Sequence, residues 1–179
     1  MSENTISPIG RVSYPHLTKP YVPQGSDGSG KYEINLWFAP DADLKVLKAE
    51  ARRAHTEKFG PEMPKDVVYE SPFKNDVDEN GAAIIVVKFK TAFLPGVWSR
   101  SKQPIIDIDS EVYPGCFARV SCGAFGWTFG SKRAGVSFNF SLVQKIKDGD
   151  PLGDRPSVDI FDDLESEEDD DFSDNDMPF

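Results

Sequence analysis

Along most of this chain apolar and polar side chains alternate with a period of two, the signature of half-buried strands. In residues 31–39, Tyr32, Ile34, Leu36 and Phe38 fall on one face and Glu33, Asn35 and Trp37 on the other. Residues 82–93 repeat the pattern, with Ile85, Val87 and Phe89 opposed to Val86, Lys88 and Lys90. Between Cys116 and Trp127 one face carries the small residues Cys116, Ala118, Val120, Cys122 and Ala124; the other carries Phe117, Arg119, Phe125 and Trp127. After a loop over 126–135, a last strand turns Val136, Phe138, Phe140 and Leu142 inward and Ser137, Asn139 and Ser141 outward. Residues 9–14 predict a short strand that gives way to a loop at Pro15, Pro20 and Pro23, and 105–108 predict another short strand. The period changes once. Pro40-Asp41 opens a helix in which Leu44, Leu47, Ala51 and Ala54 recur at helical spacing until Gly60. Residues 24–30, 61–81 and 95–104 show neither period and are expected to be loops or irregular stretches. Five or six strands with one inserted α-helix make a mainly β chain, closed into a small barrel.

Composition changes this picture at the C-terminus. The 179 residues, 39% hydrophobic with 13 Phe, suffice for one core. The formal charge of −10 describes neither part of the chain. From Asp159 onward there are eleven Asp or Glu and no Lys or Arg, leaving 19 acids against all 20 bases before it, a net of +1. The chain therefore divides into a nearly neutral domain over residues 1–156 and an acidic tail over 157–179. Self-repulsion and scarce apolar groups predict that the tail is disordered. As a free chain its last 21 residues would span roughly 25 Å, enough to fold back over the domain. No apolar run approaches the roughly 20 residues that cross a bilayer, and the N-terminus has no leader pattern, so a soluble, non-secreted protein with no membrane partner is expected. Cys116 and Cys122, ~20 Å apart on one strand face, are expected to be buried free thiols.

Basic residues and aromatics interleave three times: Tyr14, Lys19 and Tyr21; Trp98, Arg100 and Lys102; and Phe125, Trp127, Phe129, Lys132 and Arg133. With Lys31 and the outward Trp37, Lys88, Lys90 and Arg119 they form a candidate binding surface for single-stranded nucleic acid. Rings stack on bases while Lys and Arg follow phosphates without reading sequence. The competing reading is that each ring closes the core, and repetition of the pattern favours binding.

The chain ends Asp174-Asn-Asp176-Met177-Pro178-Phe179, which resembles the terminal peptide of bacterial single-stranded DNA-binding proteins, an acidic stretch closed by an apolar residue, Pro and Phe. A terminal Phe joins a ring to a free carboxylate and suits a pocket with a basic rim. The remainder is similar to the single-stranded DNA-binding proteins of tailed phages: Lys19-Pro20-Tyr21, the strand over 30–38, a helix, Lys88-Phe89-Lys90, two closing strands and an acidic tail. This resemblance implies a single OB-fold barrel and sequence-independent coating of single-stranded DNA in phage replication, recombination and repair, in the cytoplasm of an infected bacterial host. It also implies a tail that competes for the DNA groove and recruits replication or recombination enzymes through Asp174, Asp176, Met177, Pro178 and Phe179. A homodimer is among the assemblies it admits. The alternative reading is an acidic interaction or DNA-mimic protein whose tail is the active element.

Other chemistries fit poorly. Asp76-Val-Asp78-Glu-Asn80-Gly81 begins like a calcium loop, but its twelfth position is Val87 where a bidentate Glu is required, so a hairpin turn is expected. Cys116, Cys122, His16 and His55 include no Cys-x-x-Cys pair for zinc. Residues 25–30 lack the Gly-Lys-Ser/Thr of a phosphate loop. No nucleophile lies beside a base, and neither catalysis nor a cofactor is expected.

Overall fold

The computed structural model describes residues 5–25, 28 and 30–152. The acidic tail and its terminal residues Asp174, Asp176, Met177, Pro178 and Phe179 lie outside them, as does the domain boundary expected at residue 156. The elements in chain order are β1 (Thr5–Ile6), β2 (Gly10–Tyr21), β3 (Lys31–Phe38), α1 (Lys45–Phe59), β4 (Val68–Glu70), β5 (Phe73–Val77), β6 (Ala83–Thr91), β7 (Gly96–Trp98), α2 (Ile108–Glu111), β8 (Phe117–Phe129) and β9 (Arg133–Lys147).

Five of these strands close a ring in the order β2, β3, β6, β9, β8, with β8 returning to β2. The pairings are antiparallel except β6 with β9, which run parallel and meet through Phe89 and Phe138. The ring is thus the barrel that the resemblance implied, built largely on the long β8–β9 hairpin. The remaining strands are short flanks. β1 extends the edge of β8, β5 adds to β6, and β4 and β7 pair with the two ends of β9 on either side of its contact with β6.

Except at Leu142, the faces read as inward fold inward, while Glu33 and Asn35 on the opposite face of β3 are buried as well. Ile34, Leu36, Val87, Phe89, Val120 and Phe138 are buried in one core, and the small face of β8 lies against it. Each large side chain buried here contributes about 1.5–3 kcal/mol. Both thiols are free and buried, and loss of solvation, with the Glu50 carboxylate adding to it, pushes Cys122 up to about 12. α1 packs Leu47 and Ala54 into the core and lies on β8, where Gly126 leaves room for it: a Cβ there would stand 2.5 Å from Lys58 Cβ. Asp43 Oδ1 accepts the Lys45 N–H at the helix start, and Gly60, at φ 84°, ends it in a conformation that favours glycine.

Several expectations are corrected. The loop expected over 126–135 shortens to 130–132, because β8 and β9 pair out to Phe129 and Arg133; residues 95–104 contain the strand β7; and the helix expected from Pro40 begins at Lys45. β2 does not stop at Pro15 but continues to Tyr21, because its register against β3 slips between Ser13 and His16 and again before Tyr21. The prolines sit in these irregular stretches, where no ladder donor is required. Residues 61–81 contain two strands, β4 and β5. Residues 105–108 form no strand and lead into the helical turn α2. Leu142 points outward: Ser121 pairs with Leu142 but Cys122 pairs with Phe140, so Ser141 is an extra residue that inverts the alternation beyond it. Val143 takes the inward place. The 78–81 segment is a hairpin turn, with Asp78 Oδ1 accepting the N–H groups of Asn80 and Ala82. Among the described residues no helix is long and apolar enough to cross a membrane, and no group of three metal-ligating side chains occurs.

Candidate nucleic-acid interface

The alternation that sends Phe89 and Phe138 inward sends their neighbours to the outer face of the barrel. There Lys88 and Lys90 of β6, Lys74 of β5 and Lys31 of β3 line a groove of about 720 Å³ whose other wall carries Phe125 and Trp127 of β8. Ser137, Asn139 and Ser141 of β9 line its floor, and Phe93 and Leu94, 81% and 69% exposed, close one end. Glu70 is the one acid among the lining residues. Lys90 is tethered 4.0 Å from the buried carboxylate of Glu33, which also stands 3.9 Å from His16 Nε2.

The Trp127 ring is fixed in place. Its Nε1 donates to Ser137 Oγ at 2.9 Å, and it lies beside Gly135, where a Cβ would approach the ring to 2.9 Å. The guanidinium of Arg133 sits 5.8 Å from the centres of both Trp127 and Phe129 and pairs with Glu70.

A second groove, of about 700 Å³, continues along the same two strands past Ser121, which lines both. Trp98, Ile6 and Leu142 form its apolar floor, and Arg100, Lys102 and Arg119 stand around it. Gln144 organises this rim: its Oε1 accepts from Arg119 Nε at 2.9 Å and its Nε2 donates to the Arg100 carbonyl at 3.0 Å. From Trp127 to Arg119 along β8 the two grooves span ~26 Å. Such a track suits an extended polyanion carrying planar groups.

The sequence matches, over residues 5–173, the family described as the ssDNA-binding protein of Enterobacter phage Enc34. The chain belongs to this family of phage single-stranded DNA-binding proteins. Protein p50 of Acyrthosiphon pisum secondary endosymbiont phage 1 is 28% identical over 171 residues, covering 86% of this chain and 90% of that protein. Among solved structures, the single-stranded DNA-binding protein of bacteriophage Enc34 in complex with ssDNA aligns over 82% of this chain and 87% of its own, at 22% identity and a TM-score of 0.66. The single-stranded DNA-binding protein gp2.5 of bacteriophage T7 aligns over 85% and 96% respectively, at 16% identity and a TM-score of 0.59. These likenesses show that the fold is that of phage single-stranded DNA-binding proteins.

Within that fold the expected residues separate. The first groove collects Lys31, Lys88, Lys90, Phe125 and Trp127, with Phe129 and Arg133 adjoining through the shared stack. The second collects Trp98, Arg100, Lys102 and Arg119. Tyr21 pairs with Lys31 at the rim of the first groove. Tyr14, Lys19, Trp37 and the exposed Lys132 line neither. Trp37 is half-buried under Arg11, 6.0 Å from its ring centre, and Arg11 is in turn held by Glu79 and the Asp150 carbonyl. Tyr14 is exposed on the irregular stretch of β2, at φ 47°. The alternation did not identify Lys74, Phe93, Leu94 or Gln144. Phe93 falls within the strand expected over 82–93, on the face of Val87 and Phe89, but β6 ends at Thr91 and leaves the ring exposed.

Proposed function

We propose that this chain is a non-catalytic protein that coats single-stranded DNA, holding the backbone by its lysines and arginines and stacking bases on Phe125, Trp127, Phe93 and Trp98. The observation that carries this reading is the pair of adjoining grooves, each combining exposed rings with several cations, on a chain of a phage single-stranded DNA-binding family. Stacking and phosphate contacts read no particular base, so binding is expected to be sequence-tolerant and to fall steeply as added salt reduces the gain from counterion release. In this reading the protein serves replication, recombination and repair of phage DNA in the host cytoplasm. The acidic tail competes with DNA for the grooves, and Met177-Pro178-Phe179 recruits replication enzymes. A homodimer is compatible with either role.

The test is a titration of oligo-dT followed by tryptophan fluorescence, run on the full chain and on a chain stopped after Pro156. Quenching is expected in both, with tighter binding by the shorter chain and a steep salt dependence. Absence of binding by the shorter chain at low salt would sink the proposal. Removal of Phe179 alone should leave DNA affinity nearly intact and abolish capture of the recruited enzymes.

A further inference from the structure

Trp127, one of the rings proposed to stack on bases, and the adjoining Phe129 already carry a cation. β9 begins at Arg133, directly across from Phe129 and two residue pairs from the level of Trp127, and this register lays the guanidinium over both rings, 5.8 Å from each centre. β4 pairs in parallel with the same end of β9, matching Val68 with Arg133 and Glu70 with Gly135. Glu70 is thereby brought alongside Arg133, accepting from its Nε at 3.0 Å and from its second terminal nitrogen. Both side chains remain accessible, Arg133 by half and Glu70 by a third. Arg133 stands over one side of each ring, with Phe129 still 68% exposed, and is held there by the groove's one lining acid.

We propose that Glu70 is a positioning residue that latches Arg133 across Trp127 and Phe129, and that an arriving DNA phosphate takes over the guanidinium and frees the ring faces for bases. The inference rests on the single-stranded DNA-binding reading. An exposed ion pair in water is held weakly, whereas a phosphate offers Arg a charge-assisted, two-pronged contact, and base stacking adds to it. The exchange therefore runs toward the DNA-bound arrangement. Without DNA the latch holds Arg133 beside the two rings.

The test is anisotropy of a dye-labelled dT oligonucleotide with full-length wild type, Glu70→Gln, Glu70→Asp, Arg133→Gln and the Glu70→Gln/Arg133→Gln double variant. The latch requires Glu70→Gln to tighten binding by about two- to fivefold and to steepen the salt dependence by up to about one counterion. Glu70→Asp keeps the charge in the groove but withdraws the carboxylate by one methylene, and must also tighten binding. In the Arg133→Gln background the Glu70→Gln gain must disappear. An equal gain in both backgrounds, or no gain from Glu70→Asp, means that Glu70 acts only through the general field of the groove and overturns the proposal. So does unchanged or weaker binding by Glu70→Gln, with thermal melting recorded for every variant. If wild type itself does not bind at low salt, the functional reading falls; if it binds and the coupling is absent, only the latch falls.

Discussion

A ring that stacks on a base must be accessible and close to cations, and the two grooves meet these conditions with different residues. Trp127 is held by the Ser137 hydrogen bond and by the space Gly135 leaves beside it. Phe93 is held by nothing comparable and stands out at the groove end. Replacing Trp127, Phe93 or Trp98 by Ala is expected to weaken oligo-dT binding by about 1–3 kcal/mol each if the ring stacks on a base. The Phe93→Ala protein should melt like wild type, because its ring is too exposed to contribute to the core. Wild-type affinity in a stably folded variant removes that ring from the site. Glu50 provides the opposite case, a charged residue whose role is structural. Buried on α1, it accepts the Ala124 N–H at 2.9 Å and pairs with Arg53, which in turn donates to the Ala124 carbonyl. Glu50→Ala leaves that strand amide unpartnered, so a loss of about 1–3 kcal/mol in urea unfolding is expected. DNA affinity of the folded fraction should stay unchanged.

At the scale of elements, what was legible in the sequence depended on whether burial imposed a period. β3, β6 and β8 each pack one face on the core, so their alternation named them, and the helical spacing of Leu44, Leu47 and Ala54 named α1. β4, β5 and β7 are three to five residues long and mostly accessible, so packing leaves no pattern in Val68-Tyr-Glu or Phe73-Lys-Asn-Asp-Val. They are nonetheless what bring Glu70, Lys74 and Trp98 to the grooves. The site was legible as a composition, rings among cations, but not as two connected grooves, because their walls come from pairings between segments distant in sequence. The single extra residue at Ser141 has the largest consequence. It turns Leu142 out to become the floor of the second groove, an outcome that alternation alone assigned to the core.

For the whole molecule, the charge division described by the sequence has its counterpart in surface chemistry: a nearly neutral domain concentrates cations along one track while most of its acids lie elsewhere. Affinity should therefore respond to salt through the groove lysines and arginines. Net charge, dominated by residues beyond 158, is a poor guide to it. The ring of strands itself closes through pairings far apart in the chain. Phe89 of β6 meets Phe138 of β9, and Gly10 of β2 meets Ala118 of β8. Contacts of such long sequence separation form slowly, on millisecond-to-second scales for all-β barrels.

β9 contributes to both grooves and, through its opposite face, to the core; it also pairs in turn with β4, β6 and β7 along one edge. Neither groove exists until that strand is seated. After dilution from denaturant, recovery of oligo-dT quenching and recovery of native backbone signal should follow one rate constant. In a protein arranged in this way the completed fold and the completed binding surface are expected to arrive together.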